Sequence, residues 1–320
     1  MRSTSDPSSW WQALRADSVP WLLDDERPNL LWRVLLELVE RPIDSVAVRR
    51  ARGGASAAAP VAEILAHLLP DGTWPAEGGA APPVDDETGL QAAVFLGADP
   101  EDPRLQALAD RLLDRSFRPA NTAPCETARA LQALARLGWP KDLRFQERLA
   151  WLAEEAPASR TGGWRCRQRG HAGADSGCAV TAVAVLGLLA EMGRTRDRGL
   201  LERASEALLE DHLWIGREPP DGWFEPGHPN LTRTDWVEAL WALARARVSY
   251  DRRLHGALLK LQNAQDETGR WRMEAGSART AGLPRAEAAG KPSRWVTLHA
   301  LVALKAYAVP AGLPRLFPEA

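Results

Sequence analysis

The segment Asp266-Glu267-Thr268-Gly269-Arg270-Trp271 ends an amphipathic stretch and places a glycine two residues before a tryptophan. Similar turns of glycine and tryptophan occur at Asp71-Gly72-Thr73-Trp74, Gly162-Gly163-Trp164 and Asp221-Gly222-Trp223. A Leu- and Ala-rich helical stretch follows each turn. Self-similarity of this kind indicates that one helical hairpin has been copied along the chain and that the copies stack.

The stretches after the turns also resemble one another. Residues 124–138 are similar to residues 232–244, and both are similar to residues 291–304. Six segments have apolar residues at helical spacing with small residues between them, and we expect them to be buried on most sides. They cover approximately 29–40, 84–97, 125–138, 178–193, 233–248 and 293–308. Amphipathic segments with charged outer faces alternate with them at approximately 57–69, 103–115, 142–156, 199–213 and 251–264, with a short N-terminal helix near 8–16 as the sixth.

Six such hairpins that close head to tail predict an all-α fold, an (α/α)6 toroid, as a single domain over residues 1–320. Within it we expect residues 1–19 to be a partly flexible N-terminus and residues 309–320 to be a C-terminal tail. An open solenoid is the alternative, but it would need polar capping repeats and neither end looks like one. Because all the buried helices would run in the same direction, the longer loops before them gather at one rim, where we expect any functional site.

Composition limits the partners of the chain. The 320 residues are 45% hydrophobic and 26% charged, as in a soluble globular protein with a sizeable core. The formal net charge is -2 and no basic stripe is present, so we expect no nucleic-acid partner. No stretch reaches the roughly 18 apolar residues that a membrane span needs, and no apolar signal segment follows Met1, so we expect a cytoplasmic protein. The oligomeric state is not predicted.

From Leu259 to Trp271 the chain resembles one Gln/Trp repeat of the terpenoid cyclases and protein prenyltransferases. It is most similar to short bacterial proteins of that superfamily, described as having prenyltransferase or squalene-oxidase repeats. Their opening and closing patterns look like Trp21-Leu22-Leu23, followed by Pro28, and like the stretch Lys291-Pro292-Ser293-Arg294-Trp295-Val296-Thr297-Leu298. The resemblance covers essentially residues 20–308 and implies an α/α toroid.

The resemblance also implies a transferase or cyclase that holds an isoprenoid or similar apolar substrate in the central cavity, with zinc at the mouth as in the prenyltransferases. The sequence lacks the Asp-x-Asp-Asp run of protonating cyclases and the Asp-Asp-x-x-Asp magnesium motif of ionising cyclases. Standard terpene cyclisation is therefore not expected, and whether the protein is an enzyme stays open. The alternatives are a non-catalytic binding or scaffold protein with a structural cysteine cluster, and a glycan-processing enzyme with paired carboxylates about 5 to 9.5 Å apart.

The cysteines form the candidate metal site. Cys166, His171 and Cys178 follow one another in a single loop, and Cys125 begins the preceding buried segment. Three thiolates and one imidazole complete a tetrahedral set for Zn²⁺, and a helix N-terminus favours the thiolate form. Four protein ligands leave no open position, so such a zinc is structural unless His171 is a bystander. A redox-active or disulfide pair and plain buried thiols are the alternatives.

Three carboxylates are candidate general acids or bases, namely Glu126, Asp235 and Glu238. They lie in the first turns of predicted buried helices, where burial raises the pKa of a carboxyl group. Helix capping and the helix dipole select the same residue types at the same positions, so a structural role is the alternative.

Aromatic residues in the predicted buried helices are candidate substrate-binding residues, because an aromatic wall suits a polyisoprenoid and attracts a carbocation. Filling the wide gaps of a toroid is the alternative. Arg294 is a candidate for binding a diphosphate at the mouth, although solvated loop charge explains it equally well. His228 and His299 are lone histidines that we expect to be hydrogen-bonded structural residues. The candidate tryptophans are Trp32, Trp236, Trp241 and Trp295.

Overall fold

The computed structural model describes residues 9–24, 26–75, 85–117, 122–159, 162–166, 177–193, 197–274 and 287–316. Within these ranges the protein is all-α, as the repeats predict, and apart from two isolated bridges it contains no β-pairing. No described helix has both the length and the apolar character needed to cross a bilayer.

Thirteen α-helices lie in the described ranges. They are α1 (Val19–Leu23), α2 (Pro28–Arg33), α3 (Val46–Ala55), α4 (Val61–Ala66), α5 (Asp86–Phe95), α6 (Pro103–Asp114), α7 (Pro124–Arg136), α8 (Leu143–Ala150), α9 (Ala179–Met192), α10 (Arg198–Leu209), α11 (Trp236–Arg245), α12 (His255–Asn263) and α13 (Arg294–Tyr307). Segments of π-helix extend α2 through Val34–Leu38 and α8 through Trp151–Glu155. Single 3-10 turns occur at Trp10–Ala13, His212–Trp214 and Arg252–Leu254.

Each of the six predicted apolar segments contains a helix, and each of the five predicted amphipathic segments contains another. Three differences concern the N-terminal part. Helix α1 (Val19–Leu23) lies outside every predicted segment. The predicted helix near 8–16 is only the 3-10 turn Trp10–Ala13 in its described portion. Helix α3 was not predicted, because its arginines and the pair Gly53-Gly54 obscure the spacing of its three buried residues.

The mostly buried helices pack against one another in chain order. α5 contacts α7, α7 contacts α9, α9 contacts α11, and α11 contacts α13. α13 in turn contacts the π-helical segment Val34–Leu38. Helix α2 also contacts the end of α5. Asn29 Nδ2 donates a hydrogen bond to the Leu96 carbonyl over 2.9 Å, and Trp32 Nε1 donates one to the Gly97 carbonyl over 2.8 Å.

The amide of Gln132 on α7 packs against Gly187 of α9. A Cβ atom at this position would lie 2.1 Å from Nε2 of Gln132, well inside van der Waals contact. The residues of α9 from Ala179 to Leu189 are all buried, so the apolar run of this helix is surrounded by protein. A larger residue at Gly187 would force the amide of Gln132 to move.

Three of the four turn tryptophans make the same two hydrogen bonds. Their indole Nε1 donates to a leucine carbonyl ten or twelve residues earlier, at 2.8 to 2.9 Å. Their own carbonyl accepts from the backbone N–H of the residue at or beside the start of the next buried helix, at 2.8 to 3.1 Å. The tryptophan turn therefore joins the end of one helix to the beginning of another. The three sets are Leu152, Trp164 and Cys178; Leu213, Trp223 and Trp236; and Leu261, Trp271 and Ser293.

The fourth turn tryptophan differs in this respect. Trp74 is also buried, but its Nε1 has no hydrogen-bond partner among the described residues. It packs instead against Gly89 of α5, where a Cβ atom would lie 2.3 Å from the indole ring.

This difference gives a matched pair of substitutions. Trp271→Phe removes an indole donor and leaves the Leu261 carbonyl unpaired, whereas Trp74→Phe removes only ring volume. We expect Trp271→Phe to lower the free energy of unfolding by about 1 kcal/mol more than Trp74→Phe. Urea denaturation of both variants measures this difference, and equal losses would contradict a stabilising role for the repeated bond.

Candidate functional site

The three cysteines lie together at the N-terminal ends of α7 and α9. Their Sγ atoms are all within 4.8 Å of one another, and those of Cys125 and Cys166 are 3.6 Å apart. Cys125 is the second residue of α7, Cys178 is the N-cap of α9, and Cys166 comes from the loop between α8 and α9. Cys125 and Cys178 are buried and Cys166 is half-buried. The structure thus brings together the three predicted thiol ligands.

Backbone pairing fixes the loop that carries Cys166. Trp164 forms an isolated antiparallel bridge with Ala158, and its carbonyl accepts the N–H of Cys178 over 2.8 Å. The N–H of Arg165 donates to the carbonyl of Pro157 over 2.7 Å. The segment is therefore held on both sides of the turn, next to the two packed helices that supply the other sulfurs.

The surroundings of the cluster are apolar. Val180 and Ala123 pack against the three cysteines. Hydrogen bonding to Cys166 and Cys178, followed by burial, raises the pKa of the Cys125 thiol. A bound thiophilic metal would reverse this preference, because a coordinating thiol loses its proton to the metal. The residues present can hold a metal through three sulfurs. The predicted fourth ligand, His171, lies outside the described residues.

A second cluster, of charged residues that were not predicted from the sequence, lies toward the C-terminal ends of the buried helices. Its members are Arg33, Glu37, Arg136, Glu191 and Arg245. Glu191 accepts from Arg136 and Arg245, each at 2.9 Å, and lies 3.7 Å from Arg33. Glu37 forms a close ion pair with Arg33 and lies 3.6 Å from Arg245. These side chains are almost entirely shielded from solvent, so the pairs form a buried ionic network.

Burial and neighbouring charges shift the pKa values of two members of the network. Burial opposes ionisation of Glu191, but the charges of Arg245, Arg136 and Arg33 outweigh it and hold the pKa of Glu191 well below its ordinary value. Burial, with the charge of Arg136, lowers the pKa of Arg33 to about 9, so its guanidinium stays charged at neutral pH. Glu191 and Arg33 are therefore both charged at neutral pH.

Two histidines fill the space beside this network. His228 stacks on Trp295 with ring centroids 4.3 Å apart, and His299 stacks on Trp241 at 4.1 Å. A ring nitrogen of His228 lies 3.2 Å from the Phe95 carbonyl, which agrees with the expected structural role. Burial lowers the pKa of both imidazoles well below the ordinary value, and nearby charged groups add to the effect, so both are neutral at physiological pH.

The cavity that remains between these rings is small. It measures about 10 Å³ and is lined by residues of the network, both histidines, Gln132 and Asn230. Space of this size holds about one water molecule. The described residues leave no room there for an apolar chain.

Two of the predicted catalytic carboxylates have structural partners. Asp235 is the N-cap of α11, where its Oδ1 accepts the backbone N–H groups of Val237 and Glu238. Its Oδ2 accepts the backbone N–H of Gly227 and the side-chain amide of Asn230. Burial, followed by the charge of Glu238, raises the pKa of Asp235 to about 6 against these hydrogen bonds.

Glu238 pairs with the buried Arg129 over 3.1 Å and also accepts from Thr234 at 2.7 Å. The third predicted carboxylate, Glu126, lies in the first turn of α7 and lines a different cavity. The structure therefore brings Asp235 and Glu238 together, without Glu126.

The structure does not bring all the predicted substrate-binding residues together at one place. Trp241 and Trp295 line the small central cavity. Trp32 packs against Ala51 and Ala55 of α3. Trp236 packs near Phe224, and Arg294 lies over the ring of Trp21 and donates to its carbonyl.

No protein-family model matches the sequence, and no curated protein is significantly similar to it. The resemblance to terpenoid cyclases and protein prenyltransferases therefore stays a prediction from the repeats and their turns.

Substitution of Glu191 tests the buried network. Glu191→Gln leaves Glu37 as the only carboxylate of the network against three arginines. Breaking a buried ion pair in this way should cost about 3 kcal/mol at neutral pH. The exposed pair of Arg198 and Glu202 supplies the control, since Glu202→Gln should change stability by less than about 0.5 kcal/mol. Chemical denaturation measures both.

The pH dependence of stability has a defined sign at Glu191. Its pKa is lowered on folding, so its contribution is complete above the ordinary value of 4.5 and is lost as the pH falls below it. The wild type should therefore lose stability more steeply than Glu191→Gln below pH 4.5. Parallel acid profiles would show that Glu191 is not a charged partner of the arginines.

Proposed function

We propose that this protein is a toroidal binding protein whose ring of helices is closed at its centre and is stabilised by a structural zinc ion. The observation that carries the proposal is the cluster of three Sγ atoms within 4.8 Å of one another. The proposal takes the binding or scaffold alternative of the sequence analysis, and it includes the (α/α)6 ring as its architecture.

The order of helix contacts supports the ring. α5, α7, α9, α11 and α13 form an unbroken series of neighbours, and α13 contacts the segment that continues α2. Asn29 and Trp32 of α2 then bond to the end of α5, which joins the last member of the series to the first. The amphipathic helices between them cover the outside. A closed ring of this kind needs no capping repeats.

The donor set and its spacing favour zinc. With Zn–S bonds of about 2.3 Å, a tetrahedral site places its sulfurs about 3.8 Å apart. The separation of 3.6 Å between Cys125 and Cys166 is close to this value. Zinc at this place would join the start of α7 to the start of α9 and fix the loop between them. His171, or a water molecule, would complete the coordination.

Isoprenoid cyclase or transferase chemistry has less support. Such a substrate needs a long apolar cavity, whereas the described centre of the molecule contains an ionic network, two histidines and about 10 Å³ of free space. Catalysis at zinc also needs an open position beside a substrate cavity. Neither described cavity includes a cysteine in its lining. The isoprenoid function stays a prediction.

Metal analysis tests the proposal directly. Protein purified without a His tag and kept reduced should contain about one zinc per chain by mass spectrometry. Cys166→Ser removes the least buried ligand and should lose most of the zinc, together with several degrees of thermal stability. Ala123→Ser, beside the cluster, adds a hydroxyl group without removing a thiol and should retain the metal.

Two results would contradict the proposal. One is reduced wild-type protein that binds no zinc even when zinc is supplied. The other is zinc that remains bound in Cys166→Ser, which would place the metal elsewhere.

A further inference from the structure

A cavity of about 230 Å³ lies beside α7, on a side of the molecule that the proposed function does not use. It is lined by the first turn of α5, the end of α6 with the residues that follow it, Thr122, α7 from its first turn to Leu134, and one side chain of α8. The apolar part of the lining includes Leu112, Leu131, Leu134 and Phe117. Charged and hydroxyl groups complete the lining.

The positively charged groups of this cavity are already paired. Arg115 forms a close ion pair with Asp86. Arg148 donates to the carbonyls of Leu112, Leu113 and Arg115 at 2.9 to 3.2 Å, where the C-terminal end of α6 provides partial negative charge. Neither guanidinium makes an ion pair with Glu87.

Glu87 is the carboxylate without a partner. It lies in the first turn of α5, is half-buried, and forms no hydrogen bond or ion pair with any described residue. Thr127, on the same lining, is 5% exposed, and its hydroxyl likewise has no partner in the described chain. A buried hydroxyl in this state is unusual and is normally satisfied by water or by a ligand.

Burial and the negative charges nearby both disfavour an isolated carboxylate anion at Glu87. Burial, followed by the charges of Glu126 and Asp85, raises the pKa of Glu87 to about 7, although Arg115 and Arg148 oppose the rise. A cation beside the carboxylate would remove this penalty, since an opposite charge stabilises the ionised form.

We propose that this cavity binds a small organic cation, a primary amine with an apolar tail. The ammonium group pairs with the carboxylate of Glu87, and the tail packs on Leu112, Leu131 and Leu134. The ligand is a free small molecule, because the volume of the cavity, about 230 Å³, matches that of a small molecule. The cavity shares the first turn of α7 with Cys125, but the proposed ligand contacts none of the cysteines, so either proposal can fail alone.

The volume limits the size of the ligand. A cavity of about 150 Å³ accommodates benzene, so one of 230 Å³ suits a molecule of about nine non-hydrogen atoms. 2-Phenylethylamine has this size and is charged at neutral pH, and 2-phenylethanol is its neutral counterpart. The two probes differ only in the group that would meet Glu87.

Isothermal titration of the full-length protein with both probes tests the proposal without any variant. We expect saturable one-to-one binding of the amine with a Kd below about 1 mM. The alcohol should bind at least about tenfold more weakly, because it lacks the charge-assisted bond. Equal affinity would show an apolar cavity without a cation site, and no binding of the amine would overturn the proposal.

Two variants identify the partner of the ammonium group. Glu87→Gln keeps the shape of the side chain and should weaken amine binding about tenfold or more while leaving the alcohol unchanged. The control is Glu63→Gln, an exposed first-turn glutamate of α4 that does not line the cavity, and it should bind the amine like the wild type. Unchanged affinity in Glu87→Gln would contradict the assignment.

The pH profile gives a further readout. With the pKa of Glu87 near 7, the carboxylate fraction and hence the amine affinity should rise about tenfold from pH 6 to pH 8. Asp85, Glu126, Arg115 and Arg148 also face Glu87, so the profile must be compared with that of Glu87→Gln, which we expect to be flat. A slope that persists in this variant would assign the titration to another group.

Discussion

The structure depends on the ion pairs buried where the buried helices end. Arg33, Arg136 and Arg245 are the last residues of α2, α7 and α11, and Glu191 lies one residue before the end of α9. Helix C-termini carry partial negative charge and favour cations, which explains Arg136 and Arg245. Arg33 is different, because the π-helical segment continues its helix through Leu38. Removing these charges from water is costly, and only the compensating carboxylates of Glu37 and Glu191 make it tolerable. Helices that approach in another register would leave an arginine buried without a partner.

The opposite ends of the same helices have a different character. There the N-termini carry the cysteine cluster, the N-cap Asp235 and the cavity of Glu87. The two ends are separated by His228, which comes from the loop before α11 and reaches the Phe95 carbonyl at the end of α5. Its ring and that of His299 fill the space between the network and the N-terminal side.

Periodicity predicts the helices because burial repeats every turn, so α7, α9 and α13 were located from spacing alone. It fails for α3, because its arginines and its pair of glycines obscure the spacing of its buried residues. The cysteine cluster could also be predicted, since thiols near the starts of two neighbouring helices can approach each other. The ionic network could not, because Glu191 has no partner near it in sequence and acquires three only when other helices pack against α9. The cavity beside α7 could not be predicted for the same reason, since only the packed helices show that Arg115 and Arg148 pair elsewhere and leave Glu87 without an ion pair among the described residues.

The repeated turn explains why a metal site fits at one particular place. The carbonyl of each turn tryptophan accepts the N–H of a residue at or beside the start of the next buried helix, which is Cys178 after Trp164, Trp236 after Trp223 and Ser293 after Trp271. The turn thus fixes the backbone at this position in all three copies, whatever side chain it carries. In the copy with Cys178, the neighbouring helix offers Cys125 and the turn itself offers Cys166. Three cysteines on a backbone already held by the fold therefore bring their sulfurs within 4.8 Å of one another.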